Sequence, residues 1–192
     1  MTLQERVDNY HLETGFPNAL QVGGDGRING IWIMGQNYRV KSEYYGGYPA
    51  GYLKRIKALF PDKKNILHLF SGKVDKSIID GKTIDINPDR GADVIGDAHE
   101  LSKHFGEEFD LILADPPYSI EDCDHYGTTM IKRTTVVREC QKVLKPGGHL
   151  VWLDQVMPLY KKVELQPVGF IGMVKSVNHR FRVVSIFEKQ HP

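Results

Sequence analysis

From Asn65 onward the chain alternates short apolar runs with polar or helix-patterned stretches, and few folds accept that rhythm. The runs are NILHLF (65–70), KTIDI (82–86), ADVIG (92–96), FDLILA (109–114), HLVWLD (149–154), VGFIGMV (168–174) and FRVVSIF (181–187). They are rich in β-branched residues, Leu and Phe. Several are apolar nearly throughout, which suits strands covered on both faces. Between the fourth and fifth runs, TTMIKRTTVVRECQKVLKPGG sets Met130, Val137, Cys140, Val143 and Leu144 near helical spacing. It closes on Lys-Pro-Gly-Gly, which reads as a helix stop. Strands alternating with crossovers predict an α/β fold with a doubly wound, mostly parallel sheet of seven strands. The last two runs flank a polar turn, KSVNHR, and are expected to form an antiparallel hairpin at the sheet edge.

The first 60 residues have a different texture. GGDGRINGIWIMGQNYRV is Gly-rich with short apolar pieces and predicts a hairpin or an irregular flap. YPAGYLKRIKALFP predicts a helix with Tyr52, Ile56, Leu59 and Phe60 on one stripe and Pro61 as its stop. Residues 1–60 are therefore read as an extension packed on the sheet formed by 61–192, all in one domain. A length of 192 residues allows one domain with a sizeable core.

Composition excludes several classes. With 41% hydrophobic and 26% charged residues, the chain reads as soluble and globular, and no apolar run approaches a membrane span of about 18 residues. The opening MTLQERVDNYHLETG is too polar for a secretory signal. Two cysteines, Cys123 and Cys140, make no disulfide framework, and no metal site is expected. A reducing, cytoplasmic setting is the simplest reading. Charge is uneven: residues 80–126 hold thirteen acids and three Lys/Arg, whereas 131–192 hold four acids and eleven Lys/Arg. Such asymmetry suits a polyanion-facing surface or simply scattered solvated charge.

In a doubly wound sheet, ligands bind beyond the carboxyl ends of the strands. The first run ends in LFSGKV, where Gly72 permits a tight turn and close backbone approach. The second ends in DINP and presents Asp85, suited to ribose hydroxyls. The third ends in GDA and presents Asp97 beside Ala98, suited to a heterocycle's amino group. The fourth ends in ADPPY. An acid at a strand end is commonly just a helix N-cap. Four such tips in succession describe a pocket for an adenosine-containing ligand.

HLFSG, DINP, GDAHEL, ADPPYS and VLKPGGHLVWLD resemble the successive motifs of class I S-adenosylmethionine-dependent methyltransferases. The resemblance covers about residues 44–187 and implies a Rossmann-like fold. DPPY is similar to the signature of amino-methyltransferases, most typically DNA adenine-N6 enzymes, and the compact chain resembles phage or mobile-element forms. The resemblance implies S-adenosyl-L-methionine as cofactor, bordered by Tyr45, Gly46, Phe70, Ser71, Gly72, Asp85, Ile86, Asp97, Ala98 and Asp115. The segment GGYPAGYLKRIKALFP resembles the one that precedes the first motif in some adenine methyltransferases. Two departures stand out: the first motif carries only Gly72, and about a dozen residues join the first two strands, few for a crossover helix.

The chemistry suits the catalytic candidates Asp115, Pro116, Pro117 and Tyr118. An aromatic amine is a poor nucleophile because its lone pair is delocalised into the ring. Asp115 can accept one amine N–H and the Pro116 carbonyl the other, while two prolines hold the carbonyl edge rigid. Tyr118 can stack on the base, which must leave a duplex to reach it. Tyr126 is a candidate for the substrate entrance, and His179, Arg180 and Arg182 for phosphate contacts. Adenine N6 in DNA is the leading acceptor. Cytosine N4, RNA or a protein amide are alternatives, as is a non-catalytic binding protein of the same fold.

Overall fold

The structure, a computed structural model, describes residues 1–35, 47–70, 74–118, 123, 129–175 and 181–191. The strands are β1 (Leu20–Val22), β2 (Ile28–Met34), β3 (Ile66–Leu69), β4 (Lys82–Asp85), β5 (Val94–Ile95), β6 (Phe109–Ala114), β7 (Leu144–Asp154), β8 (Leu165–Lys175) and β9 (Phe181–Lys189). They form one nine-stranded sheet in the order β1-β2-β8-β9-β7-β6-β3-β4-β5. All seven expected runs are strands. The other two strands lie in the N-terminal extension, β2 within the Gly-rich stretch and β1 just before it.

That addition corrects one expectation. Strands β8 and β9 do form an antiparallel hairpin, but not at the edge of the sheet. Strand β2 pairs in parallel with β8 from Ile28↔Gly169 to Met34↔Lys175, and β1 closes the edge antiparallel to β2. The composition of β2 explains this. Ile28, Trp32 and Met34 are buried on one face, while Ile31 and Ile33 stay exposed on the other. An apolar face at period two needs a neighbouring strand to fix it.

Helices α1 (Leu3–Thr14) and α2 (Tyr52–Leu59) cover one face. Their core holds Val7, Tyr10, Trp32, Tyr52, Ile56 and Leu59 against Leu111, Leu113, Val151, Leu153 and Val184. Helices α3 (Leu101–His104) and α4 (Arg133–Val143) cover the other face, packing Leu101, Val136, Val137 and Cys140 on Leu67, Ile112, Leu150 and Trp152. Both tryptophans, Trp32 and Trp152, are fully buried core residues.

Helix α1 was not anticipated from its polar composition, yet its ends were legible. Thr2 Oγ1 accepts from Glu5 N–H at 3.2 Å, and Glu5 Oε2 accepts from Thr2 N–H at 2.7 Å, a complete capping box. Gly15, at φ 66°, closes the other end. Helix α4 departs from expectation at both ends. Met130 precedes it and is exposed. The Lys-Pro-Gly-Gly segment is not a loop after the helix, since β7 starts at Leu144. A register shift between Phe109 and Leu111 and Gly147 at φ 71° absorb the turn within the strand.

The short link from β3 to β4 forms turns and no helix among its described residues. Asp75 accepts from Ser77 N–H at 3.1 Å, and Ile79 is buried in the face that α1 and α2 cover. No helix among the described residues is long and apolar enough to cross a membrane.

Arg6 ties α1 to α2. It is almost fully buried, donates to Asp62 at 2.5 and 2.9 Å and to the Leu59 carbonyl at 3.1 Å, and lies over the Phe60 ring. Removing the acid would strand this guanidinium. Asp62→Ala should lower unfolding free energy by about 2 kcal/mol. Arg6→Met, which removes the charge but fills the space, should cost less. Urea unfolding of both variants checks the order.

Candidate active site

The strand order reverses at β3. From β3 the chain proceeds outward through β4 and β5, then returns to lay β6 and β7 on the other side. A crevice opens at the carboxyl ends where the two directions part. Asp115 is the first residue beyond β6, and its N–H donates to the Leu69 carbonyl of β3 at 3.5 Å. The DPPY segment therefore sits at the switch point.

Side-chain direction follows from strand alternation. Leu111 and Leu113 face the α1–α2 layer, while Ile112 and Ala114 face α3 and α4. Asp115 continues the first set. Arg182 of β9 is paired with Met173 of β8, which is paired with Trp32 of β2, and Trp32 and Met173 belong to the same layer. Asp115, Tyr118, Arg182 and Tyr52 thus gather on one face of the carboxyl edge.

Within this group Tyr118 donates its phenol to Asp115 Oδ1. The Arg182 guanidinium lies 4.3 Å from the centroid of the Tyr118 ring. Burial pushes the Asp115 carboxyl up from 3.8 to about 6, against the lowering influence of the Tyr118 bond and of the Arg182 and Lys175 charges. Burial, and then the Asp115 charge, also push the phenols of Tyr118 and Tyr52 well above their ordinary value. Asp115 is the group poised near neutrality.

Tyr52 was expected only as part of a packing stripe. It is fully buried, yet its hydroxyl has no hydrogen-bond partner among the described residues. A tyrosine where leucine would pack was the available signal. Tyr48 fixes the approach to α2. Its hydroxyl lies 3.1 Å from His68 Nδ1, and its ring stacks on Tyr52 at 5.5 Å. His68 is buried in β3, and burial lowers its pKa to about 4, so it is neutral.

The remaining tips are occupied as follows. Phe70 leaves β3 at φ 56°, a left-handed conformation that is costly for a bulky side chain. Asp85 accepts from Asn87 N–H at 2.8 Å, and Ile86 beside it is exposed. Asp97 is an N-cap: its Oδ1 accepts from His99 N–H at 2.9 Å and lies 2.6 Å from His99 Nδ1. Lys132 N–H donates to His99 Nε2 at 2.9 Å, which places the ring proton on Nδ1. Ala98 is buried in the turn that follows. Arg182, expected to face phosphate, is instead buried against Tyr118, because its place in β9 points it at the core. Tyr45, Gly46, Ser71, Gly72, Tyr126, His179 and Arg180 lie outside the described residues.

Asp154 at the tip of β7 is a carboxylate that went unremarked. It is fully buried and accepts from Arg133 Nε at 2.7 Å, Arg133 Nη2 at 3.2 Å, Trp152 Nε1 at 3.1 Å and Gln155 N–H at 2.7 Å. So many donors make it a clamp between α4 and β7.

No family model matches this sequence, and no match was found among curated proteins. Among solved structures, TrmN from Thermus thermophilus aligns with a TM-score of 0.55 at 16% identity, over 78% of this chain and 51% of that one. N-methyltransferase NodS from Bradyrhizobium japonicum WM9, in complex with S-adenosyl-l-homocysteine, aligns with a TM-score of 0.48 at 16% identity, over 67% of this chain and 79% of that one. An rRNA methylase from Streptococcus thermophilus aligns with a TM-score of 0.44 at 10% identity, over 68% and 89%. The TrmN likeness shows the fold, a Rossmann-like α/β sheet that is mostly parallel with an antiparallel hairpin. The chain spans about half the length of that TrmN structure.

A carboxylate desolvated enough to be raised this far opposes folding. Below about 3.8 the group is neutral in both states and no penalty exists; above about 6 it is charged in both and the penalty is complete. Asp115→Asn should therefore stabilise the protein by about 3 kcal/mol at pH 7.5. The gain should shrink as pH falls toward 4. Urea unfolding at several pH values measures this, and a pH-independent difference would contradict the assignment.

Proposed function

We propose that this chain is an S-adenosylmethionine-dependent methyltransferase acting on an exocyclic amino nitrogen of a nucleic-acid base, with adenine N6 in DNA as the first candidate. The observation that carries the reading is Asp115-Pro116-Pro117-Tyr118 at the switch point, with its carboxylate half-buried and raised to about 6 by desolvation. The folds of NodS, solved with S-adenosyl-l-homocysteine, and of an rRNA methylase are in keeping with it.

The residues at the neighbouring tips fit such a cofactor. Exposed Ile86 offers an apolar rest for a flat ring, next to the Asp85 carboxylate for ribose hydroxyls. Phe70 stores backbone strain at the strand end nearest Asp115, a common mark of ligand contact. Asp97 and Ala98 complete the set. When bound, the cofactor supplies an electrophilic methyl group on a sulfonium.

The chain's own part is to prepare the nitrogen. Asp115 accepts one N–H, and the Pro116 carbonyl accepts the other. Both draw the nitrogen toward tetrahedral geometry and meet the positive charge that grows on it. Pro117 has no N–H to compete and a fixed φ, so the carbonyl edge does not shift. Tyr118 supplies a ring face for the base. The methylated nitrogen then gives up one proton, which needs no strong base.

Tritiated methyl transfer to DNA, RNA and protein pools, followed by nucleoside analysis, tests the acceptor. Label in N6-methyladenine of DNA supports the full reading, and label in protein alone overturns it. Asp115→Ala should abolish transfer while cofactor affinity, measured by calorimetry, stays within about threefold. Because the acceptor needs an ionised Asp115, kcat should fall as pH drops through about 6. A flat profile from pH 5 to 8 would remove Asp115 from this role.

A further inference from the structure

The proposed acceptor position is filled by the protein itself. Tyr118 presents an aromatic ring to Arg182 and a donor to Asp115, which is what an aromatic amine would present. Arg182 is buried, and its Nε has no acceptor among the described residues. Its guanidinium carbon lies over the Tyr118 ring. Tyr52 holds a second unpartnered polar atom close to the same carboxylate. Both atoms belong to residues on the face of the carboxyl edge that holds Asp115, where they are available to an incoming polar ring.

Resting on the methyltransferase reading, we propose that a flat heteroaromatic amine inserts between Tyr118 and Arg182. Arg182 then forms the second stacking face of the acceptor slot, and the Tyr52 hydroxyl reads the ring atom beside the amine.

Insertion has a fixed consequence. Stacked atoms need about 3.5 Å per layer, so Tyr118 must retreat by one ring thickness. Its phenol then loses Asp115 as the amine arrives, and one donor replaces another. The carboxylate is never left unpaired. The acceptor ring gains an aromatic plate on one side and a guanidinium on the other, both of which suit a π face. Asp115 as acceptor and Tyr52 as donor complement the edge where an amine adjoins a ring nitrogen, as in adenine and cytosine. A carboxamide shows a similar edge but has no ring to fill the slot. Arg182 also favours proton loss from the methylated nitrogen, because its charge repels the cation.

The test is steady-state transfer by the full chain to DNA and RNA oligonucleotides, with acceptor KM, kcat and cofactor affinity measured for the wild type and each variant below. Tyr118→Phe keeps the ring but releases Asp115, so acceptor KM should fall severalfold, the opposite of general damage. Arg182→Met should raise acceptor KM by about tenfold while cofactor affinity stays within about twofold, and Arg182→Lys should not restore it. Tyr52→Phe should raise acceptor KM by about tenfold on adenine. It should have no further effect on 1-deazaadenine, which lacks the ring nitrogen. An unchanged KM in a folded Arg182→Met or Arg182→Gln, or a raised KM in Tyr118→Phe, overturns the slot while leaving the methyltransferase reading intact. If the wild-type protein labels no base, the reading itself falls and the slot with it.

Discussion

A half-buried carboxylate at the end of a parallel strand is the constraint on which the site turns. Asp115 is charged at neutral pH, although its surroundings push its pKa to about 6. Charge is tolerated there because three influences oppose burial: the Tyr118 phenol, Arg182 and Lys175. Each is delivered by a different segment. Tyr118 comes from the loop after β6, Arg182 from the start of β9, and Lys175 from the end of β8. The hairpin that supplies both cations must be held in register, or the carboxylate would protonate and lose its value as an acceptor.

That requirement gives the N-terminal sixty residues a purpose. Strand β2 pairs along β8 over seven residues, which fixes the row Trp32–Met173–Arg182 across three strands. Helix α2 packs over this row and places Tyr52 beside Asp115. Trp32 meets Tyr10 of α1 in a stacked contact at 5.9 Å and Tyr52 edge-on at 6.1 Å. The extension is thus the wall of the crevice, built from aromatic packing rather than from a polar interface.

Much of this was legible because the signals are local. Seven strands could be read from apolar runs, since a parallel strand buried on both faces has little choice of composition. The DPPY tip was legible because two prolines end a strand wherever they occur. What escaped depended on distant partners. The sequence of β2 shows an apolar alternation but not which strand it will join, so a seven-stranded sheet became nine. The charge of Arg182 suggested phosphate, and only its pairing with Met173 reveals that it points inward. Asp97 caps the turn after β5 through Oδ1, a local role that its sequence alone does not separate from a ligand contact. Tyr52 carries a helical packing signal, and nothing in a one-dimensional pattern shows a hydroxyl left unpaired.

The contact between Tyr118 and Asp115 bears on how such a site survives without substrate. An empty slot would leave a charged, desolvated carboxylate facing either a void or disordered water, and both are unfavourable. A tyrosine three residues along the chain solves this locally, because its donor costs little ordering and its ring covers Arg182. The same bond weakens acceptor binding, since it must be broken each time. A serine or lysine would satisfy the carboxylate too, but neither could then step back and become a stacking face. Tyrosine is the residue type that can do both, and so the resting and working states can share one side chain.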